Sequence, residues 1–529
     1  MSCAAGLVAL SVVSFAPESR AGGPIGPNGT PIQTSEYAID LYSGPVFAGS
    51  RVTGLAGAYV AISEDVDGNL QNPATPAVRP FFSYNEFDYW LGFGLTFPTT
   101  LQNTDFFNSG SKTNIANPPD SFVFLTPALN LQWGELGIGV NIELQNYALS
   151  KPASMMTEGR GASTLTATIP TTHVQVAHGF SHNQLVLGVG ARFASISVRQ
   201  PQDKRSAFTS SGTGLEFGGV FKPENIPLRL GLAVRTAIRT EAAYQENLLP
   251  NDTGDLVITN PDGGVVYLPK SVALPWDVNF GFAVQFGPRP LNPPWRTSSE
   301  LIERQTLIYR VREIDRDKVR REARTKPPAE RQEIEEKLAR EERADTAALD
   351  RELENVRKQI EADLTKMNKF YFQVSAAMLV SGSVQEAVGI ESMVAQVVNR
   401  SGERVVGSPR LGLESGGFLS FMRLRGGSYM EPTRFDGSTA RVHGTFGFDI
   451  KLVKWNVFGL WPDDYMWRLG FGLDVARQYS TWGVTIAGWY PRHADPSALK
   501  AAGLSLPGSP LASHRQSSRR ERGPFRPDF

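Results

Sequence analysis

Four stretches of this chain alternate between bulky apolar residues and a mixture of glycine and charge, and this pattern limits the possible fold more than any other feature. In 228–238, Leu228, Leu230, Leu232, Val234 and Ile238 share one side, with Arg229, Gly231 and Arg235 on the other. In 276–286, Trp276, Val278, Phe280, Phe282, Val284 and Phe286 alternate with Asp277, Asn279, Gly281 and Gln285. Val442, Phe446, Phe448, Ile450 and Leu452 oppose Arg441, His443, Thr445, Asp449 and Lys451. Trp467, Leu469, Phe471, Leu473 and Val475 oppose Arg468, Gly470, Gly472 and Asp474. A β-strand sends successive side chains to opposite faces, so each stretch reads as a strand with one greasy and one polar face. Lipid outside and a filled or wet lumen inside is the setting that requires this combination. An unpaired backbone group in hydrocarbon costs several kcal/mol, so such a sheet must close on itself.

No run of 18 apolar residues follows the first few dozen positions, which excludes membrane-spanning helices and leaves strands. The expected fold is all-β: an antiparallel transmembrane β-barrel of about fourteen strands, eight in 81–296 and six in 368–490. Within it, strand seven is expected at 227–240 and the last at 481–490, ending on an aromatic residue. The turns after strands two, four and six are short (Gly134, 181–183 and 224–226), whereas alternate connections are long and polar. In an outer-membrane barrel the short turns are periplasmic. The formal net charge of +0 gives no reason to expect a nucleic-acid partner.

Residues 297–367 interrupt the strands. They contain no glycine, and 17 Lys/Arg with 18 Asp/Glu make about half of the 71 residues charged. Apolar residues recur at threes and fours on both sides of Pro327-Pro328: Leu301, Leu307, Ile308, Val311, Ile314 and Val319 before, and Ile334, Leu338, Leu349, Leu353, Val356, Ile360 and Leu364 after. The spacing predicts two helices packed antiparallel through these seams, a coiled-coil-like hairpin. Parity puts it after a descending strand, in the periplasm, where it is a candidate docking arm for a periplasmic protein.

At the N-terminus, residues 1–21 read as a secretory signal, with an apolar run too short to span a membrane and small residues at Ser19 and Ala21. The single cysteine, Cys3, lies within it, so the remainder carries neither disulfides nor thiolate metal sites. Residues 491–529 are polar and rich in Pro, Ser and Arg, and read as a disordered periplasmic tail.

Between these features, residues 22–80 form an N-terminal segment whose stretch 48–77 combines Gly54, Gly57 and Ala58, an acidic patch (Glu64, Asp65, Asp67), and Asn72-Pro73-Ala74. Small residues let backbone approach backbone, and Asn before Pro ends any helix begun at 55–62. Such a segment is a compact plug rather than a strand. It resembles the N-terminal hatch of the FadL-type long-chain fatty-acid and aromatic-hydrocarbon transporters of bacterial outer membranes, whose mark is Asn-Pro-Ala after a Gly/Ala-rich, acidic stretch. The resemblance implies a hatch inside the lumen, with Gly54, Gly57, Asn72, Pro73 and Ala74 as its residues. It also implies location in the outer membrane of a Gram-negative bacterium, in contact with its lipid. The implied activity is passive uptake of hydrophobic molecules, such as long-chain fatty acids or hydrocarbons, with sideways release through the barrel wall. A scaffold role, as in plug-bearing barrels of the PorV type, is the alternative, with 297–367 recruiting a partner.

The polar faces offer lumen candidates: Glu86, Asp88, Arg192, Arg229, Arg235, Asp277 and Arg441, with Glu143, Arg423, Arg425 and Asp449. They either pair with one another and hold the hatch, since a buried charge must be compensated, or present Arg to a carboxylate head group. Pairing is the expected role for most. The Gly-x-Gly pairs 92/94, 137/139, 188/190 and 470/472 fall on inward faces and make room for a plug. His178 and His182 are four apart, but in a strand and turn they do not converge on a metal. No Ser/His/Asp arrangement suggests catalysis, so neither enzyme activity nor a cofactor is expected. Phe106, Phe107 and Tyr267 on the outer loops are candidates for capture or, equally, for interfacial anchors.

Overall fold

The computed structural model describes residues 24–42, 44–83, 86–98, 102–110, 113–114, 124–150, 164–199, 206–244, 250–259, 265–436, 438–454 and 466–489. The signal reading (1–21) and the tail reading (491–529) lie outside the described residues.

Fourteen strands, numbered here in chain order, form one closed antiparallel barrel. They are β1 (Phe87–Pro98), β2 (Phe124–Trp133), β3 (Leu136–Ser150), β4 (Thr164–Phe180), β5 (Leu185–Arg199), β6 (Ser206–Phe221) and β7 (Leu228–Arg235). The second half is β8 (Asp277–Phe286), β9 (Tyr371–Ser381), β10 (Val406–Leu419), β11 (Met422–Glu431), β12 (Arg441–Lys454), β13 (Met466–Ala476) and β14 (Tyr479–Gly488). Each strand pairs with its successor, and β14 returns to β1 with Gly92 opposite Ala487 and Pro98 opposite Thr481. Closure leaves no strand edge for lipid to meet.

Alternation follows the expected faces. Leu230, Leu232, Phe280, Phe282, Val442 and Phe446 are exposed on the outside, while Arg229, Arg235, Asn279, Arg441, His443 and Asp449 are buried inside. Strand seven is shorter than expected. It stops at Arg235, and Ile238 turns inward instead of joining the lipid face. The cause lies on β6, where Gly212 and Gly214 vacate space that Ile238 and Thr240 occupy; a Cβ on Gly212 would meet them at 2.4–2.5 Å.

The segment Ile238–Glu241 joins a small sheet over the end of the barrel with the long connections. Its centre is Ala38–Asp40, parallel to both Ser271–Leu274 and Ala387–Val388, with Arg400–Ser401 at the far edge. Beneath it lies an apolar cap core that includes Tyr37, Ile39, Phe47, Phe106, Phe124, Val272 and Met393. The N-terminal segment starts in this cap and then descends through the lumen. Helix α1 (Ser50–Gly54) and two single 3-10 turns (Val66–Gly68 and Thr75–Ala77) are its only regular elements there.

The insert leaves from the end with the short turns 134–135, 181–184 and 222–227. It comprises α2 (Ser298–Leu301), α3 (Glu303–Ala323) and α4 (Pro328–Lys366). Thr297 caps α2 reciprocally with Glu300, and Pro328 begins α4, where a missing N–H costs nothing. Arg296–Glu224 (2.6 Å) and His182–Glu300 (3.6 Å) root the insert under two barrel turns. The expected apolar seam of α3 does not face α4. Leu307, Ile308, Val311, Ile314 and Val319 are between 41% and 58% exposed. The helices meet through charge instead: Arg312 and Arg316 each lie 2.5 Å from Asp345, and Arg320 lies 2.7 Å from Glu342. Arginines at 312, 316 and 320 repeat every four residues, so they form a stripe of their own, which the acids of α4 meet.

Candidate functional site

The hatch is held by backbone groups that only small wall residues can approach. Asn72 is fully buried; its Nδ2 donates to the carbonyls of Val60 (2.9 Å) and Gly219 (3.1 Å), and its Oδ1 accepts from the Ala74 N–H (3.0 Å). That last bond closes a local Asn turn over Pro73, which has no N–H to satisfy. Cβ atoms on Gly188, Gly137 and Gly231 would fall 2.2 Å from the backbone of Pro73, Pro76 and Val60 respectively. Gly470 makes room for the Ser50 side chain, and Gly190 for Glu216. Gly54 lies against Gly447 and accepts from Thr445 Oγ1 (3.1 Å). Gly57 takes φ +71°, which a Cβ would strain, and donates its N–H to Val52 (2.9 Å).

Across the middle of the lumen runs a continuous ion network between hatch and wall. Arg229 binds Glu64 (2.9 Å), which Arg51 also approaches (3.3 Å). Arg51 binds Glu414 (2.9 Å), Glu414 binds Arg425 (2.5 Å), and Arg425 binds Asp449 (2.5 Å). Arg468 completes the chain by holding Asp449 (3.1 Å), Asp65 (2.9 Å) and Asp67 (2.7 Å). The acidic patch of the hatch thus meets three arginines, Arg51, Arg229 and Arg468, of which Arg51 belongs to the hatch itself.

Two further clusters close the ends. At the base, Arg79 bridges to Asp88 (2.8 Å) and the carbonyls of Gly134 and Glu86, and its guanidinium covers the Trp295 ring at 4.5 Å. At the cap, Arg441 contacts Glu431 and donates to the carbonyls of Asp105 (2.7 Å) and Phe106 (2.8 Å). His443 stands between Glu431 and Asp474, 2.8 Å from each. Tyr429 donates to Asp474 (2.6 Å) and accepts from the Val46 N–H (3.2 Å). Burial pushes the Asp105 carboxyl up, although the N–H groups of Ser109 and Gly110 donate to it.

Two cavities lie between the cap and this network. The outer one, about 50 Å³, is walled by Phe47, Phe106, Phe107, Ile390 and Phe435. The inner one, about 180 Å³, is lined by Val46, Leu70, Ile169, Leu274 and Leu379 and by the charged groups Glu143, His173, Arg192, Arg235, Asp277 and Arg410. Leu41, Tyr42, Pro45, Phe47, Gln145 and Ile169 line both. Within the inner cavity Arg235 pairs with Asp277 (2.8 Å) and Glu216 (3.4 Å), Arg192 reaches Asp277 (3.6 Å), and His173 lies 3.0 Å from Glu216.

The barrel wall beside these cavities has two breaks in its ladder. The β2–β3 register passes from Leu125↔Leu144 to Ala128↔Asn141 without pairing at Pro127, and the β4–β5 register skips from Thr168↔Ser197 to Thr171↔Ala194 across Pro170. Proline has no N–H for a ladder bond.

Of the expected lumen charges, Asp88 (base), Arg229 (middle), Arg192 and Arg235 (inner cavity) and Arg441 (cap) are buried, Asp277 lines the inner cavity, and Glu86 lies just before β1, partly buried. The outer aromatics behave differently from the expectation of exposed capture residues. Phe106 is 2% exposed and stacks toward Phe47 (6.2 Å), and Tyr267 uses its carbonyl to accept from Tyr37 (2.7 Å). Closing the cap over an apolar core buries Phe106, while Phe107 and Tyr267 are partly buried against it. His178 packs on Phe180 and His182 reaches the insert, so they serve separate contacts. The sequence reading missed Arg51, Arg79, Glu216, Glu414, Glu431, Asp474 and Arg410 as site residues; inward parity on their strands would have found the last five.

No family model and no curated protein matches the chain. Among solved structures it is similar to the P. putida toluene transporter TodX (11% identity, 85% of this chain and 100% of that chain, TM-score 0.45). It is also similar to the CymD monoaromatic hydrocarbon channel (9%, 83% and 96%, TM-score 0.42). The β-domain of the Bordetella autotransporter BrkA gives 8% identity over 76% of this chain and 98% of that chain, with a TM-score of 0.27.

Proposed function

We propose that the chain is an outer-membrane channel for passive uptake of small hydrophobic molecules, long-chain fatty acids or hydrocarbons among them, in a Gram-negative bacterium. The observation that carries this reading is the pair of cavities sharing six lining residues, one aromatic beneath the cap and one deeper against the wall. A closed barrel with an apolar outer face supports the membrane location, and the hatch contacts support a plugged rather than an open pore. An apolar chain gains about 0.8 kcal/mol per buried methylene, so transfer from water into an aromatic pocket proceeds downhill. Ile169, beside the Pro170 break, lines both cavities, which makes the β4–β5 wall the favoured place for sideways release into lipid. Hairpin 297–367 leaves from the end with the short turns, which in such barrels faces the periplasm.

Uptake of radiolabelled dodecanoate and of toluene by cells with and without the protein tests this reading. Reduced uptake of at least one on deletion supports it, and unchanged uptake of both removes it. The scaffold alternative draws on one observation, the exposed apolar stripe of α3. Excision of 297–367 that leaves uptake intact but abolishes a cell-envelope phenotype of the deletion favours the scaffold.

A further inference from the structure

One face of α3 is apolar and uncovered. Leu307, Val311 and Ile314 follow one line along the helix at intervals of four and three, and each is more than half exposed. This line is turned away from α4, because Tyr309, Arg316 and Ala323 on the opposite side of α3 are buried. Carried on at the same spacing it reaches Lys318 and Arg321, both exposed, so apolar turns are followed by two cations. Glu303 stands at the first turn, where the helix dipole favours an acid, and Asp315 and Asp317 lie to either side of the line. The root of the insert touches the barrel where its lipid-facing belt ends. His182, in the turn between β4 and β5, lies 3.6 Å from Glu300 of α2, and Phe180 and Leu185 flank that turn with exposed side chains on the outer face. Helix α3 begins only three residues beyond that contact, at Glu303. The two long helices also differ in charge: by count from the sequence, α3 has 7 Lys/Arg against 5 Asp/Glu, and α4 has 8 against 12.

We propose that α3 is an interfacial helix that binds the periplasmic phospholipid leaflet of the outer membrane, with Leu307, Val311 and Ile314 in the acyl boundary and Lys318 and Arg321 at the phosphates. The inference is independent of what the channel carries. It draws on the continuity between the stripe and the lipid-facing edge of the wall beside the insert's root, and on the charge asymmetry of the hairpin. Cationic α3 suits a phosphate-bearing surface, and acidic α4 suits the water beyond it. A second copy of the chain is a poorer occupant. Five side chains, each about half exposed, offer on the order of 400 Å², about half of what each partner of a stable interface buries. A leaflet sets no such minimum, since binding grows with each apolar side chain that enters it and each cation that meets a phosphate. Bound in this way, the insert braces the barrel from a point outside its ring of turns.

The test places the environment-sensitive fluorophore NBD at Val311→Cys or, for comparison, at Arg343→Cys on exposed α4, in the full-length chain carrying Cys3→Ser. Each protein is held one copy per lipid nanodisc, and two quenchers are compared, phospholipid brominated on its acyl chains and iodide in the buffer. Bromolipid is expected to quench the label at 311 several-fold more than the label at 343, and iodide to do the reverse. Lys318→Glu/Arg321→Glu is expected to reduce the bromolipid quenching at 311 in discs that contain phosphatidylglycerol. Equal iodide quenching at the two positions overturns the assignment, as does bromolipid quenching that the double charge reversal leaves unchanged. A label at 311 that escapes both quenchers has a protein cover, which also overturns it. Deletion of 491–529 then shows whether that cover is the C-terminal segment. Shielding that needs two copies per disc assigns the face to a second chain and overturns the proposal equally.

Discussion

Asn72 in the hatch donates its side-chain amide to the carbonyl of Gly219 in strand β6 at 3.1 Å, and the adjacent Gly218 leaves no room for a Cβ beside the Asn72 oxygen (2.1 Å). Plug and wall are thus joined through backbone on the barrel side and through one short amide on the other. Replacing Asn72 with Leu leaves the Val60 and Gly219 carbonyls without that donor, at a cost of about 1–3 kcal/mol. Gly218→Val should act through overpacking, also by about 1–3 kcal/mol. Both variants should lower the urea midpoint of the purified barrel and admit large antibiotics that wild-type cells exclude. A variant with unchanged exclusion would show that the hatch does not depend on this contact.

The middle network makes a second prediction. Arg51→Met leaves Glu414 and Glu64 each with one remaining arginine, Arg425 and Arg229. Breaking a buried pair from one side should cost about 3–5 kcal/mol. The double variant Arg51→Met/Glu414→Leu should lose less than the sum of the two single changes, because they share one interaction. Denaturant titration of all four proteins measures the coupling, and strict additivity would show that the contact contributes nothing of its own.

Sideways release through the β4–β5 wall can be blocked covalently. Residues 170 and 195 stand opposite each other in the unpaired part of that register. Opposed residues in an antiparallel pair are about 4.5–5.5 Å apart at Cα, within disulfide range. Pro170→Cys/Ser195→Cys is expected to lose uptake when oxidised and to recover it on reduction. Uptake indifferent to the redox state would place release elsewhere.

Acid should loosen the helical insert. Asp345 lies between Arg312 and Arg316. Partial burial pushes its carboxyl up, but hydrogen bonds from Arg316 and Arg312 outweigh this and hold it below the usual carboxylate range. A depressed folded-state value means the stabilisation is complete above the unfolded value, about 3.9, and disappears as pH falls through the folded one. The helical circular-dichroism signal of the full-length protein should therefore become more heat-labile below about pH 4. Asp345→Asn should be less stable at neutral pH and largely insensitive to that acid step.

Much of this architecture was legible in the sequence because it depends on neighbours along the chain. Period two in Leu228–Val234 states which side chains face lipid without reference to any other strand, and the glycine-free, charge-dense 297–367 states helix in the same local way. Strand seven ended early because Gly212 and Gly214 on another strand offered Ile238 a better place. The α3 seam misled for a similar reason. Its apolar spacing was real, but Arg312, Arg316 and Arg320 found acids on α4, and a long-range ionic match chose the packed face.

The sequence by itself determined a closed, lipid-facing barrel with small residues lining its interior and a glycine-rich segment able to plug it. Alternation and closure follow from strand geometry and from the cost of unpaired backbone in hydrocarbon, and both can be read locally. Only the tertiary structure decided which inward charges meet, because partners such as Arg51 and Glu414 are brought together by the register of distant strands and the path of the hatch. The same long-range geometry set Gly57 of the hatch against the guanidinium of Arg410 on the wall.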